Sequence, residues 1–102
     1  MAEWVRMCAA AEVPQEGKVG QYTAQGVDVC LANVNGELHA MDNWCPHRRG
    51  PLGEGWIEDG RVVCPYHAWG FDCTTGICSE ERAHVAVFPL KTEGDDVFVE
   101  IG

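Results

Sequence analysis

Two short motifs that combine cysteine with histidine constrain this chain more than any other feature. The first spans residues 45–47 (Cys-Pro-His) and the second spans residues 64–67 (Cys-Pro-Tyr-His), with 16 residues between them. Structural zinc modules usually place two cysteines in one segment and two histidines in another, whereas here each segment has one of each. A Cys-x-His segment must bend sharply to bring both donors to one tetrahedral ion, but it reaches two adjacent ions easily. The motifs therefore predict a four-ligand site on two loops that suits two metal ions.

The residues around these motifs resemble the Rieske ferredoxin pattern. The similar segments are residues 50–52 (Gly-Pro-Leu), 53–55 (Gly-Glu-Gly), 67–72 (His-Ala-Trp-Gly-Phe-Asp) and 75–76 (Thr-Gly). The resemblance implies one [2Fe-2S] cluster per chain, in which two imidazoles replace two thiolates. It assigns the cluster-binding and metal-binding roles to four residues, with the cysteines on one iron and the histidines on the other: Cys45, Cys64, His47 and His67. A zinc site with the same ligands is the alternative.

Short apolar and β-branched runs separated by turn residues predict an all-β chain. The runs are residues 4–9, 18–23, 27–34, 38–42, 61–64, 68–73, 85–92 and 97–101. Asn35-Gly36 and Asp59-Gly60 indicate two-residue type I′ hairpins, and residues 94–96 indicate the tip of a slightly longer hairpin. The apolar alternation fails between Asp42 and Phe71. We therefore expect a single domain, residues 1–102: a Rieske-like antiparallel sandwich or barrel base (1–41 and 72–102) and a loop-rich cluster-binding subdomain (42–71).

Length and charge narrow the setting in which such a chain works. A chain of 102 residues has room for one domain. It has no apolar run of about 18 residues that predicts a membrane span, and its start lacks the features of a signal peptide, so we expect a cytoplasmic protein. A net charge of −9 argues against nucleic acid and anionic membrane partners. The same charge favours transient, charge-steered contacts with other proteins.

Four cysteines lie outside the two motifs. Cys8 and Cys30 fall in predicted strands, where we expect buried thiols that behave as small apolar side chains. Cys73 and Cys78 lie on either side of a predicted turn and could face each other across a hairpin. A reducing cytosol favours two thiols there, but the sequence leaves the pairing open.

No residue set in the sequence indicates catalysis by this chain alone, such as a Ser-His-Asp set, a phosphate loop or an acid pair. The resemblance implies a soluble Rieske ferredoxin, a one-electron carrier with no substrate site of its own. Its partners would be an NAD(P)H-dependent flavin reductase and a terminal oxygenase of the aromatic-ring-hydroxylating type. The alternative is the small Rieske-type subunit of an assimilatory NAD(P)H nitrite reductase, whose partner would be the large subunit. In either case the chain would be an electron-transfer component of a larger oxidoreductase system.

Overall fold

The computed structural model describes residues 3–46, 49–66, 68–78 and 82–101. These ranges contain ten strands and two single-turn 3-10 helices, Ala10–Glu12 and Leu52–Glu54. No helix in these ranges is long and apolar enough to cross a membrane. The strands are β1 (Glu3–Ala9), β2 (Val19–Ala24), β3 (Val27–Val34), β4 (Glu37–Asp42), β5 (Trp56–Glu58), β6 (Arg61–Val63), β7 (Gly70–Asp72), β8 (Val87–Phe88), β9 (Leu90–Glu93) and β10 (Asp96–Ile101).

The strands of the described ranges form three antiparallel sheets. The first sheet has the order β1-β10-β9, the central sheet β2-β3-β4-β8, and the third sheet β5-β6-β7. The third sheet is built from a meander of three-residue strands, and the loop between β6 and β7 contains the second cysteine motif. The first cysteine motif follows β4 of the central sheet. The all-β, antiparallel fold predicted from the sequence is confirmed.

Strand β3 is buried on both faces, which makes the central sheet the middle layer. Side chains alternate between the two faces of a strand. Val29 and Leu31 pack with residues of the first sheet, including Val97 and Val99. Cys30 and Ala32 belong to a second core that includes Val62 and Phe71 of the third sheet. The apolar run of β3 therefore supports two cores, one on each side of the central sheet.

Two-residue hairpins connect several of these strands. Both residues of Asn35-Gly36 and of Asp59-Gly60 have positive φ, between +52° and +89°, as type I′ turns require. Gln25-Gly26 has the same geometry, with φ of +51° and +76°, although the sequence analysis did not single it out. The β9–β10 hairpin is shorter than predicted, because the pairing of Glu93 with Asp96 leaves only two residues at its tip.

Two strand predictions need correction. Strand β5 was not among the predicted runs, because three residues are too few to show a clear alternation. The predicted run 85–92 is interrupted at Pro89, which has no backbone N–H to donate to a ladder. Before the proline, β8 pairs with β4 in the central sheet, and after it β9 pairs with β10 in the first sheet. The chain therefore passes from one sheet to the other at this residue.

The cysteines outside the two motifs behave as core side chains. Cys8 and Cys30 are 5% and 0% exposed, as expected for buried strand thiols. Cys73 and Cys78 are also buried, and both are thiols in the structure. The possibility of a disulfide between them, which the sequence left open, is therefore not realised here.

Candidate metal centre

The first cysteine loop, residues 45–50, is a closed turn around a buried cysteine. Cys45 is fully buried, and its backbone N–H donates to the carbonyl oxygen of Gly50 at 2.8 Å. The flanking residues, Trp44 and Pro51, form an isolated antiparallel bridge. Arg49 has a φ of +54°, in the left-handed region that returns the chain toward its starting point.

The second cysteine loop, residues 64–69, connects β6 to β7. Cys64 is also fully buried. Its backbone N–H donates to the carbonyl oxygen of Trp69 at 2.9 Å, and its own carbonyl oxygen accepts from the N–H of Ala68 at 2.9 Å. Val63 and Gly70, on either side of the loop, form the last pair of the β6–β7 ladder. Ala68 has a φ of +58°.

The two loops are equivalent in backbone structure. In each, the cysteine N–H donates to the carbonyl five residues later, and the residue four positions after the cysteine has positive φ. In each, the residue before the cysteine pairs with the residue six positions after the cysteine. The motifs do not reveal this equivalence, because the histidine is two positions after the cysteine in one loop and three in the other. The same backbone geometry therefore holds both cysteines.

The loops touch each other at Gly50. A Cβ added to Gly50 would lie 2.5 Å from the Sγ of Cys64 and 3.2 Å from the ring of Tyr66. Distances this short leave no room for a side chain, so glycine permits the backbone of the first loop to lie against the sulfur of the second. The geometry brings together the two segments that contain the four predicted ligands.

Polar contacts of Trp44 anchor the first loop to the central sheet. The indole Nε1–H of Trp44 donates to Oδ2 of Asp28 at 3.1 Å, and its backbone N–H donates to Oδ1 of Asp42 at 3.1 Å. The guanidinium carbon of Arg49 lies 5.3 Å from the centroid of the Trp44 ring, within cation–π range. The sequence analysis did not identify Asp28, which lies 16 positions from Trp44 in the sequence.

Two cysteines of the core are chemically distinct from a metal-binding thiolate. Burial raises the pKa of Cys30 to about 12 and that of Cys73 to about 11, because desolvation disfavours the charged form. The thiolate is the form that binds metal. Cys30 and Cys73 are therefore held as thiols at neutral pH, consistent with a packing role.

The structure describes only part of the predicted ligand set. Cys45 and Cys64 lie in the paired loops, whereas His47 and His67 lie outside the described residues. Among the described residues, no group of three or more His, Cys, Asp and Glu side chains is placed to hold a metal ion. Of the remaining histidines, His39 lies on β4 with its Nε2 3.1 Å from a carboxylate oxygen of Glu37, and His84 is exposed.

Comparison with known proteins gives a family and close relatives. A family model described as the Rieske [2Fe-2S] domain matches residues 3–91. The chain is 33% identical over 101 residues to the ferredoxin component of the naphthalene 1,2-dioxygenase system of Pseudomonas aeruginosa, which covers 97% of this chain and 96% of that protein.

Solved structures share the fold. One, a complex of reduced oxygenase and oxidized ferredoxin in carbazole 1,9a-dioxygenase, contains a chain with a TM-score of 0.82 and 25% identity, covering 94% of this chain and 91% of that one. A protein described as an NADH-dependent nitrite reductase small subunit from Mycobacterium tuberculosis has a TM-score of 0.87 at 22% identity, covering 100% and 97%. At that identity the likeness shows the fold alone. The family match includes both cysteine loops, and the chain belongs to the Rieske [2Fe-2S] domain family, with a Rieske-type [2Fe-2S] cluster as its cofactor.

Proposed function

We propose that this chain is a Rieske ferredoxin that carries single electrons from an NAD(P)H-dependent flavin reductase to a terminal oxygenase of the aromatic-ring-hydroxylating type. The observation that supports this best is the pair of equivalent closed loops, each with a fully buried cysteine. The relative named as the ferredoxin component of a naphthalene dioxygenase system covers 97% of this chain and is itself 96% covered. The similarity to that relative thus extends over nearly the whole of the ferredoxin component.

The proposed ligands are Cys45, His47, Cys64 and His67. Two features of the described residues fit the group: two buried sulfur donors on loops of matching backbone, and a glycine that lets one loop lie against the other's sulfur. A Rieske cluster supplies a one-electron redox couple, and its two imidazole ligands raise the potential above that of an all-thiolate cluster. Residues 42–71 would form the cluster-binding subdomain, and residues 1–41 and 72–102 the base.

The chain's own part in this function is to exclude water and to hold the donors still. Both cysteines are fully buried, so the sulfur donors lie away from bulk solvent. Each loop is closed by a main-chain hydrogen bond at its base, which limits the conformations available to the ligands. With the sulfur donors held in this way, they need to move little when the charge of the site changes by one electron.

The electron balance determines how many chains each NAD(P)H reduces. NAD(P)H releases two electrons together, whereas this chain carries one, so two reduced chains leave the reductase for each NAD(P)H oxidised. The net charge of −9 favours brief contacts with basic surfaces on both partners. We place the chain in the cytoplasm, where NAD(P)H is available, with no nucleic acid or membrane partner.

The nitrite reductase small subunit is the weaker candidate. Its support is one structural neighbour that covers the whole of this chain at 22% identity, which shows the fold and no more. The ferredoxin relative is 33% identical over nearly the same length. The two functions also differ in partner behaviour, because a small subunit stays bound to a large one, whereas a ferredoxin dissociates between partners.

Anaerobic electron transfer tests the proposal. The purified holoprotein is mixed with NADH and the flavin reductase of a dioxygenase system, and bleaching of the visible bands is followed. We expect two chains to be reduced per NADH, and reoxidation on mixing with an oxidised ring-hydroxylating oxygenase, at a rate that falls as salt is added. The matched control is the Cys64→Ser variant. Failure of the reductase to reduce the chain, or stable co-purification with a large sirohaem-containing subunit, would count against it.

A further inference from the structure

Asn43 is the only polar or charged residue that is fully buried among those the structure describes. It lies between β4 and the first loop, two residues before Cys45. Its Oδ1 accepts a hydrogen bond from the N–H of Gly53 at 2.9 Å. Its carbonyl oxygen accepts from the N–H of Leu52 at 2.6 Å, and its own N–H donates to the carbonyl of Asp28 at 3.3 Å. One residue thus joins the entry and exit of the first loop to the central sheet.

The equivalent residue of the second loop shows what is unusual about Asn43. That residue is Val62, two positions before Cys64, and it is also fully buried. Val62 pairs with Phe71 inside a regular ladder. Across the first loop, the backbone pairing among the described residues is the single Trp44–Pro51 bridge, whose two hydrogen bonds run from the N–H of Cys45 to Gly50 and from the N–H of Leu52 to Asn43. Beyond this bridge, the N–H of Gly53 donates to the side-chain oxygen of Asn43. A side chain therefore accepts the hydrogen bond that a neighbouring strand would accept in a regular ladder.

The packing around Gly53 makes this junction tight. A Cβ added to Gly53 would lie 2.7 Å from Oδ1 of Asn43 and 2.6 Å from the backbone nitrogen of Gln21 on β2. The absence of a side chain at Gly53 therefore lets the 3-10 turn approach both Asn43 and β2. Displacement of Asn43 would loosen the contact of the Leu52–Glu54 turn, which follows the first loop, with β2.

The other polar atom of the Asn43 amide, Nδ2, is buried without a hydrogen bond to any of the described residues. A buried donor without a partner costs free energy, and the valine of the second loop avoids that cost. The hydrogen bond from Gly53 to Oδ1 offsets the cost of the unpartnered Nδ2. We infer that the amide side chain serves to attach the first loop to the central sheet.

We propose that Asn43 is a positioning residue for the cluster site: through Gly53 it fixes the first cysteine loop against the central sheet, and so fixes Cys45 relative to Cys64. This inference rests on the proposed function, since the property it explains is retention of the cluster. Asn43 acts through the loop and does not itself bind the cluster.

Asn43→Ala is compared with a matched control, Asn33→Ala. The Oδ1 of Asn33 likewise accepts from a glycine N–H, that of Gly36, at 2.9 Å, but in the β3–β4 hairpin. Both holoproteins are challenged with an iron chelator, and loss of the visible bands is followed. We expect iron loss to accelerate about tenfold in Asn43→Ala relative to the control, because freeing one loop opens the site, and the reduction potential to shift only in Asn43→Ala.

Hydrogen exchange locates the effect. We expect faster amide exchange in residues 44–53 of Asn43→Ala, with residues 62–71 unchanged. Asn43→Thr, which keeps an uncharged oxygen able to accept from Gly53, is measured in the same way if the alanine variant does not fold, and we expect its exchange to stay close to that of the wild type in residues 44–53.

The outcomes separate this inference from the proposed function. Iron loss, potential and exchange no different from those of Asn33→Ala would show that Asn43 is merely structural, and would overturn the inference. Exchange in residues 44–53 as fast in Asn43→Thr as in an unfolded peptide would overturn it as well. Wild-type protein without an iron–sulfur cluster would instead contradict the proposed function.

Discussion

The two cysteine loops have the same backbone geometry but different supports. The second loop closes a regular hairpin, in which Arg61, Val62 and Val63 each pair with a residue of β7. The first loop lies beyond the end of β4, where the pairing across the loop is reduced to the single Trp44–Pro51 bridge. Side chains supply the rest: Asn43 bonds Gly53, and Trp44 bonds Asp28.

The difference shows that one local geometry can be reached in two ways. A ladder is formed by backbone groups that every residue but proline carries, so it tolerates many sequences. Attachment by side chains depends on particular residues at particular positions. We therefore expect substitutions next to the first loop to affect the site more than substitutions at the equivalent positions of the second.

The largest effect, loss of iron, is expected on substitution of the cysteine that each loop contains. Cys45→Ser and Cys64→Ser each remove a proposed sulfur ligand, and iron bound per chain should fall about tenfold or more in both, because a weakly acidic hydroxyl replaces a thiolate. Iron analysis of the purified proteins measures this. Cys8→Ser is the control, since Cys8 is buried in the other core and iron should be retained. Full iron content in either loop variant would contradict the ligand assignment.

Gly50→Ala tests the contact between the loops. The added methyl would lie 2.5 Å from the Sγ of Cys64, and forcing the loops apart should cost about 1–3 kcal/mol, the usual cost of overpacking, with partial loss of iron. Gly20→Ala is the control, because its methyl would lie 2.9 Å from the ring of Tyr22, away from both cysteine loops. Denaturant unfolding and iron content are measured for both. Equal iron content in the two variants would show that the loops do not need this close approach.

The buried thiols Cys30 and Cys73 should make the stability of the fold fall at alkaline pH. Folding raises the pKa of Cys30 from 9.0 to about 12 and that of Cys73 from 9.0 to about 11. Below pH 9 both thiols are protonated in the folded and unfolded states, and stability is unaffected. Above pH 9 only the unfolded chain releases these protons, so the free energy of unfolding should fall with rising pH, by up to about 1.4 kcal/mol per pH unit for each thiol.

Unfolding of the apoprotein between pH 8 and 11 measures this dependence. In Cys30→Ala one of the two thiols is absent, and the decline above pH 9 should be correspondingly shallower. An identical pH dependence in the variant and the wild type would show that Cys30 does not contribute to it.

The smallest of these effects is expected at Trp44. Trp44→Phe keeps an aromatic ring but removes the N–H that donates to Asp28, which should cost about 1 kcal/mol, the typical net value of a hydrogen bond within a protein. Faster hydrogen exchange should follow in the first loop only. Trp56→Phe, at an exposed residue of β5, is the control and should leave stability within about 0.5 kcal/mol. Equal losses in both variants would remove the proposed role of the indole as an anchor.

Much of the fold was predictable because it depends on local signals. The apolar run of β3 and the dipeptide Asn35-Gly36 determine a strand and a turn through neighbouring residues, and both predictions are confirmed. Strand β5 and the change of sheet at Pro89 were missed or misread, because pairing partners distant in sequence decide them. Local pattern cannot show which sheet a short strand joins.

Some residues of the candidate site were likewise predictable from the sequence, and others were not. The motifs pointed to Cys45 and Cys64, which the structure places in matched, buried loops. The roles of His47 and His67, and the boundaries of the cluster-binding subdomain, stay predictions. Asn43 and Asp28 were not found, because their importance comes from hydrogen bonds to residues 10 and 16 positions away. Nothing in the neighbouring sequence indicates those bonds.

The reduction potential of the purified holoprotein tests the central claim most directly. Two imidazole and two thiolate ligands predict a one-electron couple between about −150 and +300 mV. Spectroelectrochemical titration, with iron and zinc analysis of the same sample, gives the result. A couple near about −400 mV, the value of plant-type all-thiolate clusters, would contradict the account, as would a redox-inactive chain that contains zinc.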